Sequence, residues 1–336
     1  MKDNLHNALT LNEIEWIPCI SFSAVALTKE IKKLGLNNYE NNYEQMAKVS
    51  SIGYEAIGFE NLFLPFDMSN EVEAMGCSIN TNKNSKIKII DSPFDDIQNI
   101  EVPDNFINNG KFPIIEKTIQ LLHEKYDDKD VPIIAPMMGP FTLLSQVFSL
   151  KLEGIIKHLN NDIVDVEDAL WNINTGLLDE IEFYNDLNVD AIAIFEPDAT
   201  TKLIEPTMYK NVLKPFLEEL SNNNEIPSIM HICGDTTNNL ENMMTSGFEA
   251  ISIDSGVDIN KAKQLQAELN TPTRICGNIS TECTLFRKRP KEIFKEAYEI
   301  LSNGIDIFSP SCMISPNTPK KNIKAMIEAR NRFCDL

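Results

Sequence analysis

The stretch "SIMHICGD", Ser228 to Asp235, sets the reading of the chain. Its first six residues are a short apolar run that ends in His231-x-Cys233, and a glycine and an aspartate follow. Nearly continuous apolar runs of this length suit parallel strands buried on both faces. Runs of the same kind recur in both directions: "IPCIS" (17–21), "AIGF" (56–59), "PIIAPM" (132–137), "AIAIFE" (191–196), "AISID" (250–254), "RICGN" (274–278) and "DIFSP" (306–310). Helical patterns with i, i+3/i+4 apolar spacing lie between them, as in "TGLLDEIEFYNDLN" (175–188) and "PKEIFKEAYEILSNG" (290–304). The latter has Pro290 near its start and Gly304 past its end, as helix termini favour. Eight strand–helix units predict an α/β fold, a (β/α)8 TIM barrel formed as a single domain over 1–336. Residues 1–15 read as a leading helix that closes the barrel bottom. Residues 78–112 are polar and too long for a simple connection, so they read as an excursion after strand 2, either a lid, a partner surface or a solvated insertion.

Composition narrows the function. The chain has 336 residues, 43% of them hydrophobic, which is globular rather than disordered. Its formal charge of −20 repels nucleic acid and anionic membranes, so neither is an expected partner. No apolar run approaches the ~18 residues of a membrane span, and "MKDNLHNALTLNEIEW" has no signal-peptide pattern. A cytoplasmic location is expected. The seven cysteines are irregularly spaced and odd in number, which argues against a disulfide framework. All five arginines (Arg274, Arg287, Arg289, Arg330, Arg332) fall in the last quarter. An anionic substrate must be held by lysines, by backbone N–H groups at helix starts, or by those late arginines.

Barrels place catalytic residues at the C-terminal ends of their strands. Under that rule His231 and Cys233 end the fifth strand, Asp254 ends the sixth, and Cys312 lies just past the eighth in "SPSCMISP". Residues i and i+2 of a strand point the same way, so His231 and Cys233 can both face the mouth. Taken alone, the pair reads equally as two core residues. Four potential ligands on one rim point to a zinc site instead. Two thiolates, a carboxylate and a histidine leave zinc with a net charge near −1. That is a poor setting for activating water and a good one for a soft thiolate. A free thiol of pKa ~8.5 is only about 3% ionised at pH 7, a handicap of roughly 2 kcal/mol that metal binding removes. The chemistry expected is a zinc-activated thiol attacking an alkyl donor, with an electron-rich metal offsetting the nucleophilicity lost with lower pKa.

Those residues carry a resemblance. "MHICGDTTNNLENMMTSGFEAISIDSGVDINKAK", "RICGNIS" and "GIDIFSPSCMISPNTPKKNIKAMIEARNRF" resemble the uroporphyrinogen decarboxylase superfamily, within it the zinc-dependent corrinoid methyltransferases that act on coenzyme M. "FDMSNEVEAMGCSIN" and "MMGPFTLLSQVFSL" extend the match over nearly the whole chain. The resemblance implies a (β/α)8 barrel with Zn2+ on His231, Cys233 and Cys312. It implies that Asp254 fills the fourth position until a thiol displaces it, and the displaced carboxylate is then expected to take up the thiol's proton. The methyl group would arrive on a corrinoid carried by a separate protein. The acceptor would be coenzyme M, in methylotrophic methanogenesis. The family usually has Glu where this chain has Asp254, so the carboxylate arm here is shorter.

Further candidates lie near the same rim. Glu196 and Asp198 in "FEPDAT" face the pocket or cap a helix. Gly277 and Asn278 in "GNIST" hold an anion through backbone N–H groups, with Arg287 nearby, or form a plain turn. Asp67 shapes the donor side. Met137, with Met138, lines an apolar mouth for a corrin ring or belongs to the core. Rival functions are methyl transfer to homocysteine or a folate, porphyrinogen decarboxylation, and a corrinoid-binding or regulatory barrel without catalysis. Decarboxylation would need cationic clamps near the N-terminus, and no arginine precedes Arg274.

Overall fold

The computed structural model of the protein describes residues 1–23, 28–36, 38–65, 68–80, 89–148, 151–201 and 203–335. Seven parallel strands form the curled sheet of a (β/α)8 barrel. In chain order the strands are β1 (Leu62–Phe63), β2 (Ser78–Ile79), β3 (Ile89–Asp91), β4 (Ile133–Met138), β5 (Ala191–Phe195), β6 (Ser228–His231), β7 (Ala250–Ser252), β8 (Arg274–Ile279) and β9 (Ile307–Pro310). The barrel sheet runs β1-β4-β5-β6-β7-β8-β9, and β2 and β3 make a separate antiparallel pair. β4 to β7 are buried at every position, which is why they read as unbroken apolar runs.

The eighth position is filled by the chain around Cys19, where the sequence predicted a strand over 17–21. Only a bridge forms there, from Cys19 to Phe308 of β9. Phe308 donates to Pro18 O and accepts from Ile20 N, at 2.8 and 3.0 Å. On its other edge a single backbone bond, from Glu60 N to Cys19 O at 2.9 Å, is supplemented by side chains. Asn61 Oδ1 accepts from Ser21 N at 2.9 Å, and Asn61 Nδ2 donates to Ser21 O at 3.0 Å. The buried Asn61 amide thus extends the pairing that Glu60 begins at Cys19 and helps close the barrel.

The second predicted strand is corrected. Residues 56–59 are not extended, because Gly53–Ile57 prolong the helix Tyr43–Ile52 as a wide turn that stops at Gly58, φ +103. The strand is instead the two-residue β1 that follows. The helices over 163–186 and 290–302 cover most of the stretches predicted from periodicity at 175–188 and 290–304, ending two residues before each, and Gly304 takes φ +81 beyond the second.

The bottom is covered by the leading helix Lys2–Leu9. Lys2 pairs with Asp190, whose carboxylate also receives Ile133 N at the start of β4. Arg330, almost fully buried in the helix Lys320–Phe333, pairs with Glu60 at 2.7 Å, and Glu60 also receives Trp16 Nε1 and Cys19 N. Residues 89–112 lie against the helix Ile163–Asp186. Ile97, Ile100, Phe106 and Phe112 are buried, and Asn172 Nδ2 donates to Ile100 O at 3.0 Å. Gly176 lets Val102 approach where a Cβ would sit 2.7 Å from its methyl group. No helix among the described residues is long and apolar enough to cross a membrane.

Candidate metal centre and active site

His231 is the last residue of β6, in register with Phe195 of β5 and Ser252 of β7. Its ring is fully buried and stands at 62° to the Phe195 ring, centroids 5.4 Å apart. Phe22 lies 6.4 Å from it, and Phe22, Phe63 and Phe195 contact one another at 5.8 to 6.4 Å. This aromatic floor holds the imidazole and keeps water away from its rear. Nδ1 is 3.0 Å from Ser252 Oγ. Nε2 is 3.1 Å from Cys233 Sγ, which is 3.1 Å from Cys312 Sγ. After Cys233 the chain turns at Gly234, φ +81, a conformation that favours glycine.

The ligand atoms of His231, Cys233 and Cys312 all lie within 4.8 Å of one another, and both thiols are partly exposed. Among the described residues they form the one such cluster of metal-binding groups. Asp254, expected as a fourth member, lies outside it. Its Oδ2 accepts from Gly234 N at 3.0 Å and its Oδ1 from Ser255 Oγ at 3.0 Å. The two thiols share a proton. A hydrogen bond from Cys233 holds Cys312 well below the usual thiol range, with His231 helping. That same bond pushes Cys233 up, followed by burial and by the charges of Cys312, Asp254 and Asp198. The site therefore already favours one thiolate, with two carboxylates close enough to act on it.

The remaining candidates fall elsewhere. Glu196 is fully buried, and its oxygens accept from Phe141 N (2.8 Å), Thr142 N (2.9 Å) and Thr142 Oγ1 (2.7 Å) at the start of the helix Pro140–Val147. Burial pushes this carboxyl up to about 8, against the hydrogen bonds from Thr142 and Phe141. Asp198 accepts from Ser145 Oγ and from Gln146 Nε2, the latter at 3.2 Å. It is a partner of that helix as well as a neighbour of Cys233. Asn278 Nδ2 donates to Asp254 O (3.2 Å) and Val257 O (3.0 Å), so it pins the turn that bears Asp254. Gly277, φ +137, brings its backbone against Ile253 O. Met137 is fully buried in β4 and belongs to the core. Arg287 is exposed and paired with Glu282. Asp67 lies outside the described residues.

An imidazole and two thiols, one already the better acid, make a soft N/S donor set. Three protein ligands with a further position open are the pattern of catalytic rather than structural zinc. The residues fit such an ion.

A parallel barrel with an imidazole and two thiols on its C-terminal rim defines a class of barrel proteins built around a candidate thiolate-ligated metal. The uroporphyrinogen decarboxylase (URO-D) family description matches residues 1–333, and the chain belongs to that family. It is 31% identical over 342 residues to the methylcobamide:CoM methyltransferase MtaA of Methanosarcina barkeri, covering 99% of this chain and 98% of that protein. It is 29% identical over 360 residues to the methylcobamide:CoM methyltransferase MtbA of Methanosarcina acetivorans, with the same coverage. Among solved structures, a methyltransferase from Methanosarcina mazei superposes with a TM-score of 0.92 at 30% identity, over 99% of this chain and 98% of that one.

Proposed function

We propose that this protein transfers a methyl group from a methylated corrinoid protein to the thiol of coenzyme M, with Zn2+ held by His231, Cys233 and Cys312. The observation that carries the reading is the soft cluster itself, three ligand atoms within 4.8 Å at the mouth of the barrel. Bound there, Zn2+ supplies a Lewis acid whose charge is balanced by two thiolates, so that it favours a substrate thiolate over hydroxide.

The chain's own residues do the rest. Phe22 and Phe195, backed by Phe63, fix the His231 ring and keep its surroundings dry. Asp254, held beside Cys233 through Gly234 N, accepts the thiol proton and stays outside the coordination sphere. The substrate thiolate then attacks the methyl carbon in line. The carbon–sulfur bond forms, the carbon–cobalt bond breaks, and the cobalt keeps the electron pair. The chain acts as one barrel, with 78–112 as an insertion.

The test measures zinc per chain and follows methylcobalamin demethylation with added coenzyme M. About one zinc per chain and coenzyme M-dependent turnover are expected, with Cys312→Ala losing both. Unchanged turnover by Cys312→Ala would overturn the site. Turnover with homocysteine but not coenzyme M would overturn the acceptor.

A further inference from the structure

The mouth of the barrel is divided by chemistry. In a parallel barrel the chain crosses the C-terminal face after each strand, before the next helix starts back. Three neighbouring crossings follow β8, β9 and the segment at 17–21. Each exposes one large apolar side chain: Phe286, Met313 and Leu34. Each also carries cations. Arg287, Lys288 and Arg289 follow Phe286, Lys320 and Lys321 follow Met313, and Lys32 and Lys33 precede Leu34. The crossing from Ser311 to Lys321 contains no acidic residue at all, in a chain whose net charge is −20.

Hydrogen bonds join the three crossings into one surface. Ile314 N donates to Ser23 Oγ at 2.7 Å, which ties the crossing after β9 to the one after 17–21. Asn322 Nδ2 donates to Leu285 O (2.8 Å) and Lys288 O (2.9 Å), which ties it to the crossing after β8. Arg287, Lys288 and Arg289 pair with Glu282, Glu296 and Glu292. Among the described residues Lys32, Lys320 and Lys321 make no ion pair, so they carry the positive charge of the arc. Met313 adjoins Cys312, so the surface begins at the metal centre.

The opposite arc is different. Among the described residues the crossings after β5, β6 and β7 expose no large apolar side chain. They carry Asp198, Glu205, Asp235, Asp254 and Asp258 against one lysine, Lys202. Ile90, Ile163 and Val164 are also exposed at this end of the barrel, but Asp91, Asp162 and Asp165 stand beside them. Apolar side chains with a basic surround occur together only on the arc after β8, β9 and 17–21.

We propose that this arc is the docking surface for the methylated corrinoid protein, which meets it with an acidic, partly apolar face. This rests on the reading of the chain as a corrinoid methyltransferase. An apolar centre with a charged rim is the usual anatomy of a protein interface. The chain as a whole repels an acidic partner, and a local basic arc selects the one approach that brings the partner over Cys312. Turned the other way, the same partner would meet Asp235, Asp254 and Asp258.

Two donors separate docking from chemistry. Free methylcobalamin needs no protein interface, whereas a methylated corrinoid protein does. With coenzyme M as acceptor, Leu34→Ser combined with Phe286→Ser should lower kcat/KM for the protein donor by about tenfold or more, mainly through KM. Turnover of methylcobalamin should stay within about twofold of wild type. Lys32→Glu combined with Lys321→Glu should act in the same way. It should also flatten the fall in kcat/KM that added salt causes in wild type with the protein donor. Trp171→Ser removes an exposed ring further down the helix Ile163–Asp186 and should change neither donor. Equal losses with both donors would overturn the docking surface. So would an unaffected protein donor, or the same loss in Trp171→Ser. Wild type that binds vesicles of anionic lipid, and loses them in the lysine variant while the protein donor is unaffected, would give the surface to a membrane. Wild type that demethylates neither donor would overturn the methyl-transfer reading, and the docking partner with it.

Discussion

Asp254 Oδ2 accepts the backbone N–H of Gly234 at 3.0 Å, so the turn after β7 is tied to the turn that carries Cys233. The carboxylate thereby has a structural anchor and a place beside the thiols at once. Asp254→Asn separates the two roles, since an amide oxygen can still accept from Gly234 but takes up a thiol proton poorly. We expect the variant to keep about one zinc per chain and to lose roughly 10²-fold or more in methyl transfer, the usual scale of general-base catalysis. Metal analysis and methylcobalamin turnover check this, and a loss of zinc would put Asp254 in the coordination sphere.

Stability should fall as pH rises. Glu180 is fully buried on the helix Ile163–Asp186, and among the described residues neither carboxyl oxygen has a hydrogen-bond partner of good geometry, since the nearby Tyr184 hydroxyl donates to Pro136 O. Burial, then the nearby charge of Glu71, holds it well above its ordinary 4.5. The folded state keeps a proton that the unfolded chain releases above that value. Each pH unit in the window therefore costs about 1.4 kcal/mol of stability for such a group. Glu196, raised to about 8, adds a second slope in the same direction that ends near pH 8. Glu180→Gln should raise the melting temperature at pH 7 and shallow the decline between pH 5 and 8. Thermal melts across that range decide it, and an unchanged slope would count against a protonated Glu180.

What the sequence reveals of this protein follows from burial. β4 to β8 are legible because strands enclosed on both faces must be apolar, and His231 and Cys233 stand out as polar residues ending such a run. β1 is not legible, because two residues carry no period and the run before it continues a helix. The segment at 17–21 looks like a strand, yet beyond one backbone bond from Glu60 its outer pairing is made by the Glu60 and Asn61 side chains, which no backbone pattern encodes. Ser252, whose hydroxyl meets His231 Nδ1, was missed because it is a single small residue inside an apolar run. Aligning strand ends would have placed Ser252 and Cys276 in one row with His231. Phe22, Phe63 and Phe195 pass for ordinary core until their contacts with one another and with His231 are seen.

Asn61 is the cheapest place to open the barrel. Its side chain satisfies both Ser21 N and Ser21 O, and it is itself 2% exposed. Asn61→Ala leaves two buried backbone groups unpaired, at about 1–3 kcal/mol each. We expect about 2–5 kcal/mol lower stability in denaturant titrations. Amide exchange should rise first at Ser21. A loss below about 1 kcal/mol would mean that water or a shift of the chain replaces the amide.

Gly139 tests the other support of the site. A Cβ there would run into the Glu196 carboxyl, the group that receives Phe141 N and Thr142 N at the helix start. Its backbone is ordinary for any residue, φ −82, so Gly139→Ala probes contact rather than backbone strain. The methyl group must push Glu196 off the helix, and Asp198 with it, because Thr142 Oγ1 binds both Glu196 Oε2 and Asp198 N. Asp198 acts on Cys233, so the displacement reaches the metal site through charge. The expected result is a loss of about 1–3 kcal/mol, as for overpacked cores, together with a changed pH profile of methyl transfer. Gly139→Ala combined with Glu196→Ala removes the clash and should recover part of the stability lost by the single variant. A single variant as stable as wild type, with an unchanged pH profile, would separate this helix from the thiols.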